Sequence, residues 1–333
     1  MGGNALKKYG IETKRLNKEE YFIVAEEIKA RLLKHFKKAE PVIAYANKED
    51  FGDLDILVCD SRIENLDMLK LINDEFNPNA IHRNGEVTSF DYDDFQIDVI
   101  KVKPEELEMA MHYFSFNDLG NFMGRIARKL GFKYGHKGLF YVPSIDNKYV
   151  MKDILVSRTP SKIFRFLGFD YYAYVDGFKE LEDVFSYVVN SKYFSSDIFS
   201  YENLNHINRI RNRKRRSYQL FIQYLEEHFP DKTYDYDTPE AYMQRASVYF
   251  GKEFMVEIDI ANAKAAEIKA YREKFNGNRV MKLIPPLQGK ELGDFMRYIN
   301  TDDVFVKLIK DTDTDNMDEA IKKMYLYYSI RKR

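Results

Sequence analysis

The stretch "GDLDILVC" (52–59) places the tightest constraint on the fold, because Asp53 and Asp55 stand one residue apart at the start of an apolar run. In a β-strand, residues two apart point to the same side, so both carboxylates share one face while Leu54 and Ile56 alternate with them. "FQIDVIKV" (95–102) repeats the pattern, with Asp98 between Ile97 and Val99 in a run that otherwise reads as buried. Carboxylates gathered near apolar side chains repel one another and lose hydration, and a lone buried acid without a partner is costly. A hard divalent cation such as Mg²⁺ relieves both penalties through oxygen ligands. Asp after Gly is also ordinary turn chemistry; the mid-strand Asp98 is what favours the metal reading.

The surrounding pattern supplies the scaffold. Asn17, followed three residues later by Glu20, is a relative of the capping box. It opens an amphipathic helix through "NKEEYFIVAEEIKARLLKHF", with Phe22, Ala25, Ile28, Leu32 and Phe36 at helical spacing. Pro41 is predicted to end that helix, "VIAYA" (42–46) reads as a strand, "NKEDFG" as a turn and "LDILVC" as the next strand. A helix is expected near "IENLDMLKLINDEF", then a turn at Asn84-Gly85, then a strand from Phe95 to Val102 that Pro104 closes. "EELEMAMHYF" and "DLGNFMGRIARKLGF" read as helices, and the last hundred residues as mostly helix, broken at Gly277, Pro285, Pro286 and Gly289. The predicted class is α+β, a mixed sheet packed on helices with a small domain and a mostly helical C-terminal region after it. Expected divisions are an N-terminal helical segment over 1–37, the sheet domain over 38–144, the small domain over 145–200 and the helical region over 201–333.

Composition excludes several classes. With 25 Phe and 25 Tyr in 333 residues, large cores are available and general disorder is excluded. Lys plus Arg (52) balance Asp plus Glu (53), so a global basic excess does not mark a nucleic-acid binder, and only a local cluster can. One such cluster is "RIRNRKRRSYQLF", with Arg209, Arg211, Arg213, Lys214, Arg215 and Arg216 beside Tyr218 and Phe221. It reads either as a phosphate-backbone contact or as a solvated surface neutralised by Glu202 and Glu226. The single cysteine, Cys59, rules out an intrachain disulfide and fits a cytoplasmic setting. No apolar run approaches the roughly 18 residues of a membrane span, so no membrane partner is expected.

In the order of its motifs the chain resembles the DNA polymerase beta superfamily of nucleotidyltransferases, and within it the family X polymerases. "GDLDILV" and "QIDVIKV" match the acidic strands of that family's palm, "HYFSFNDLGNFMGRIARKLGFKYGHKGLFY" follows its next motifs in order, and "IFRFLGF" (163–169) is similar to the opening of its thumb. The resemblance implies that Asp53 and Asp55 bridge two Mg²⁺ (or Mn²⁺) ions, while Asp98 holds the catalytic ion and helps deprotonate a primer 3′-hydroxyl. It places a nucleoside triphosphate near Ala44, Tyr45, Lys48, Gly52, Tyr113, Phe114, Asn121 and Arg125. The implied partners are that triphosphate and a nucleic acid, either a DNA primer-template or an RNA or tRNA 3′ end.

Three departures stand out. Ala44-Tyr45 occupies the place of the family's phosphate-cradling Gly-Ser, Phe116 replaces a glycine at a bend, and no counterpart of the repair polymerases' lyase domain is expected before the first helix. "NGNRVMKLIPPLQGKELGDFMRYI" also resembles a pattern in the tail domains of CCA-adding and poly(A) polymerases, with Gly289 and Gly293 spaced for a close backbone approach. The expected activity is therefore a family X-like DNA polymerase without the lyase domain. The alternatives are an RNA 3′-end nucleotidyltransferase and a non-catalytic nucleic-acid-binding relative. Oligomeric state is not legible in the sequence.

Overall fold

A computed structural model describes residues 3–145, 149–150 and 153–331. They form two units, one of residues 1–142 and 153–254, the other of residues 143–152 and 255–333. In the first unit, β1 (Leu16–Asn17) leads into α1 (Lys18–Leu32). The helix start is locked by a reciprocal pair: the Glu20 N–H donates to Asn17 Oδ1 at 2.9 Å, and the Asn17 N–H donates to Glu20 Oε2 at 3.1 Å. The buried stripe is Tyr21, Ala25, Ile28 and Leu32. Phe22, expected on that stripe, is 53% exposed, and Tyr21 takes the inward position because its ring stacks on Phe51 with centroids 3.8 Å apart.

The chain then departs from its predicted course. Phe36, expected as the last apolar residue of the helix, instead begins β2 (Phe36–Pro41), so Pro41 closes an edge strand and not a helix. An edge tolerates proline because no ladder bond is required of its missing N–H. "VIAYA" is a loop: the Val42 N–H donates to the Asp55 carbonyl (3.0 Å), the Ile43 N–H to Ser115 Oγ (3.1 Å) and the Ala46 N–H to the Phe178 carbonyl (2.8 Å). These three bonds stitch the loop to three different segments.

β3 (Asp50–Phe51) pairs with β1, and β4 (Asp53–Ser61), α2 (Met68–Phe76), β5 (Ile81–Asn84), β6 (Val87–Tyr92) and β7 (Phe95–Lys101) follow. The main sheet has five strands in the order β2-β4-β7-β6-β5, with β4 and β7 parallel and every other pair antiparallel. Alternation along β4 feeds two cores. Leu54, Ile56 and Val58 join Ala25, Ile28, Leu71, Ile97 and Val99 on one face, while Leu57 and Cys59 join Ile100, Val102 and Ala110 on the other. That second face is covered by α3 (Leu107–Phe114).

α4 (Leu119–Lys129) runs into β8 (Phe132–Gly135) and β9 (Gly138–Tyr141). β10 (Ser144–Ile145) and β11 (Tyr149–Val150) form a hairpin belonging to the second unit, after which β12 (Ile154–Ser157) returns to pair with β9 in a three-stranded sheet. The first unit ends with α5 (Pro160–Phe166), α6 (Tyr171–Asp176), α7 (Leu181–Val189), α8 (His206–Arg213), α9 (Arg216–His228) and α10 (Pro239–Phe250). Residue 201, the expected domain boundary, is not where the units part. Tyr218 and Phe221 of α9 pack on Phe122 of α4 with ring centroids 5.9 and 4.4 Å apart, which keeps residues 201–254 in the first unit.

α11 (Glu253–Lys274) begins in the first unit and continues into the second. There α12 (Gly277–Leu283), α13 (Gly289–Thr301), α14 (Asp303–Asp311) and α15 (Met317–Arg331) enclose a core that includes Phe275, Val280, Phe295, Ile299, Ile309 and Ile321. Gly289 is needed for its backbone, at φ +54°. A Cβ on Gly289 or Gly293 would meet nothing within 4 Å, so neither glycine marks the expected close approach. The class is α+β.

Candidate functional site

The parallel pairing of β4 with β7 sets Asp53 opposite Gln96 and Asp55 opposite Asp98. β6 adds Ser89, in register with Asp98 on its other side. By parity all five side chains share one sheet face. Farther along that face Leu57, Cys59 and Ile100 are buried beneath α3, so the carboxylates occupy the end the helix leaves uncovered. The N–H of Gly3 donates to Asp53 Oδ2 at 3.1 Å, and Gln96 Nε2 donates to both oxygens of Asp98, at 3.0 and 3.1 Å.

The acids crowd one another. Burial, then the charges of Asp53 and Asp98, push the Asp55 carboxyl well above the usual range, against the opposing pull of Lys48 and Arg215. Burial and then Asp53 push Asp98 up to about 6, against hydrogen bonds from Ser89 and Gln96. Three hard oxygen donors under mutual repulsion suit Mg²⁺ or Mn²⁺. Among the described residues no three His, Cys, Asp or Glu side chains are already drawn into a ligand cluster. The acids share a face and an electrostatic field without forming a closed cage.

The predicted nucleotide-contacting residues divide. Lys48 lies against the acids: burial lowers its ammonium pKa, while Asp53 and Asp55 raise it, and its Nζ sits 3.3 Å from Asn117 Oδ1 and 4.6 Å from the centre of the Phe51 ring. Tyr45 is in electrostatic reach of Glu182, Glu180 and Arg216, with burial as the main cause of its raised pKa. Ala44 packs on the first core, and Gly52 is buried with its carbonyl turned to Gly3. Tyr113 is held up by burial, with Arg211 and Arg215 opposing, and Phe114 packs on the second core. The Asn121 Nδ2 is buried and has no hydrogen-bond partner among the described residues. Arg125 donates Nε to the Ile198 carbonyl at 2.9 Å, which ties it to that segment and does not bring it to the acids. Phe116 adopts a left-handed backbone (φ +58°) and is buried against Tyr174 and Phe178.

The basic run is not one surface. Arg215 and Ser217 both bond to the carboxylate of Asp118, which precedes α4, and Arg209 Nη2 donates to the Leu204 carbonyl at 3.0 Å. Asp118 is the acid that pairs with the run among the described residues, not Glu202 or Glu226. Arg211 is exposed and acts on Tyr113. Arg213, Lys214 and Arg216, with Gln219, instead line a cleft of about 680 Å³ whose other wall is Asn4 and Lys7.

No protein-family model matches the chain, and no curated protein matches it significantly. Among the described residues, no helix is long and apolar enough to cross a membrane. Gln96, Ser89, Asp118 and the N-terminal residues Gly3, Asn4 and Lys7 were not picked out from sequence. Gln96 had a signal, since it precedes Asp98 by two residues and so shares its face; the others depend on distant partners.

Proposed function

We propose that the protein is a metal-dependent nucleotidyltransferase, moving a nucleoside monophosphate from a nucleoside triphosphate to the 3′-hydroxyl of a nucleic acid. The observation that carries this reading is the register of β4 against β7, which sets Asp55 beside Asp98 with Asp53 on the same face. Asp53, Asp55 and Asp98 would hold the divalent ions, which when bound supply charge neutralisation at phosphate oxygens and ease deprotonation of the attacking hydroxyl.

The chain's own residues then have assignable roles. Gln96 orients Asp98 by donating to both of its oxygens. Asp98, held in place by Gln96 and facing Asp55 across the strand pair, would help deprotonate the 3′-hydroxyl. As the 3′-oxygen bonds to the α-phosphorus, the bond from that phosphorus to the bridging oxygen breaks and pyrophosphate leaves. Lys48, whose charge acts on Asp53 and Asp55, offers positive charge to the phosphoryl group in flight.

The test uses the full chain with Mg²⁺ or Mn²⁺, each labelled nucleotide in turn, and three acceptors: primed DNA, single-stranded RNA and tRNA lacking its terminus. Incorporation is expected, lost on chelation and lowered by about a thousandfold or more in Asp55→Asn. Template-directed addition of deoxynucleotides supports the polymerase form of the reading. Ribonucleotide addition to an unpaired end supports the RNA 3′-end form. No incorporation in any arm rejects nucleotidyl transfer.

A further inference from the structure

The cleft beside the acids has walls from opposite ends of the first unit's sequence. One wall is the N-terminal strap, anchored at several points: Leu6 is fully buried, the Ala5 N–H donates to Gln96 Oε1 at 2.9 Å, Thr13 Oγ1 donates to the Gly3 carbonyl at 2.6 Å, and the Lys14 N–H donates to the Asp94 carbonyl at 2.8 Å. Gln96 therefore joins the strap to Asp98, while the Gly3 N–H joins it to Asp53. Gly3 has no freedom to carry a side chain: its φ is +80°, and a Cβ there would meet the Gly52 carbonyl oxygen at 2.4 Å. The next residue, Asn4, already lines the cleft. The other wall is the junction of α8 and α9, with Arg213, Lys214, Arg216 and Gln219.

The lining is four cations and two amides, with no carboxylate. Lys7, Lys214 and Arg216 have no carboxylate partner among the described residues, and Arg213 lies over the Tyr201 ring at 5.7 Å. Like charges gathered on facing walls repel unless an anion with several charges sits between them. A run of linked phosphates carries several charges on one chain and so can answer cations contributed by both segments at once. The cleft also begins one peptide link from the Gly3 N–H that bonds Asp53, one of the acids to which the transfer reading brings the reacting phosphate.

We propose that the N-terminal strap, with Arg213, Lys214 and Arg216, forms the cradle for the triphosphate chain of the incoming nucleotide. The identity of the anion as a nucleotide rests on the nucleotidyl-transfer reading; the capacity for linked phosphates does not. The guanidinium and ammonium groups of Arg213, Lys214, Arg216 and Lys7 supply the charge-assisted donors such a chain requires.

Calorimetric titration of the full chain in Mg²⁺ with ATP, AMP, inorganic tripolyphosphate and a short single-stranded oligonucleotide tests this. Lys7→Gln and Arg216→Gln should each weaken ATP and tripolyphosphate by roughly five- to tenfold while changing AMP by less than about twofold. Gly3→Ala, which removes no charge but displaces the strap, should weaken the same two ligands. If that variant does not fold, the two exposed charge variants still decide the matter. Failure of the wild-type chain to bind tripolyphosphate overturns the cradle. So do unchanged ATP and tripolyphosphate affinities in the charge variants, including the case in which only the oligonucleotide weakens. Tripolyphosphate loss in the variants of a protein that incorporates no nucleotide would leave the cradle standing and the transfer reading rejected. Incorporation with ATP affinity unaffected by the variants would do the reverse.

Discussion

Replacing Asp98 with Asn should abolish nucleotide addition and at the same time make the metal-free protein more stable, a pairing that ordinary damage to a buried residue does not produce. Folding raises the Asp98 carboxyl from 3.8 to about 6. At roughly 1.36 kcal/mol per pH unit this corresponds to about 3 kcal/mol. The folded state holds a proton in that window which the unfolded chain has released, so stability falls as pH rises through it. The penalty is fully present above about pH 6 and absent below about pH 4. Asn keeps the shape and discards the charge, and it also relieves Asp55, which Asp98 pushes upward. Against that gain, Asn cannot accept from Gln96 with two oxygens as the carboxylate does. The residue is also partly exposed, so the net gain is set at about 1–2 kcal/mol near pH 7.5. For a unit of this size that is a rise in Tm of about 2–8 °C. Differential scanning calorimetry in chelator, near pH 7.5 and again near pH 4, reads it out. The gain should shrink at the lower pH. A variant less stable than wild type near pH 7.5, or equally stabilised at both, would refute the crowding of the three acids.

Other consequences follow from contacts away from the acids. Glu75 accepts from His35 Nε2 (3.1 Å), Lys34 Nζ (3.0 Å) and Arg31 Nε (3.3 Å), and these bonds, His35 first, hold its carboxyl down at about 2. Its contribution is present above about pH 4.5 and lost as pH falls toward 2, so Glu75→Gln should cost about 2 kcal/mol in neutral urea denaturation, after discounting the exposed Lys34, and much less in acid. Phe116→Gly should relieve about 1 kcal/mol of left-handed backbone strain but lose about 3–5 kcal/mol of aromatic packing against Tyr174 and Phe178. The expected net loss is about 2–4 kcal/mol, and a stabilised glycine variant would show that backbone strain dominates there. Asp118→Asn should cost about 1–3 kcal/mol by removing the negative charge beside Arg215 and one of the two oxygens that Arg215 and Ser217 share. A double-mutant cycle with Arg215→Gln should return a coupling of about 1 kcal/mol, and additivity would deny the tie.

Features legible in the sequence are those whose geometry is local. Strand parity put Asp53 and Asp55 on one face of their strand, and the chain does carry them so. Asn17 and Glu20 announced the start of α1, and Asn84-Gly85 the turn between β5 and β6, because caps and tight turns are satisfied within a few residues. Helical spacing alone could not choose between Tyr21 and Phe22 as the inward ring. Phe51, well outside the helix, made that choice. The strand Phe36–Pro41 was also hidden: two adjacent lysines break its alternation, and it exists by pairing with β4.

The sequence by itself determined that this chain builds an α+β core around two strands bearing carboxylates, since a period of two and the local chemistry of caps and turns are properties of short segments. Only the tertiary structure decided that the acids on separate strands stand in register, that Asp118 claims Arg215 from the basic run, and that a strap from the N-terminus faces the remaining cations across a cleft. Each of these is a pairing between residues far apart in the chain. The repulsion, burial and hydrogen bonding that govern such pairings exist only once the fold has brought the partners together.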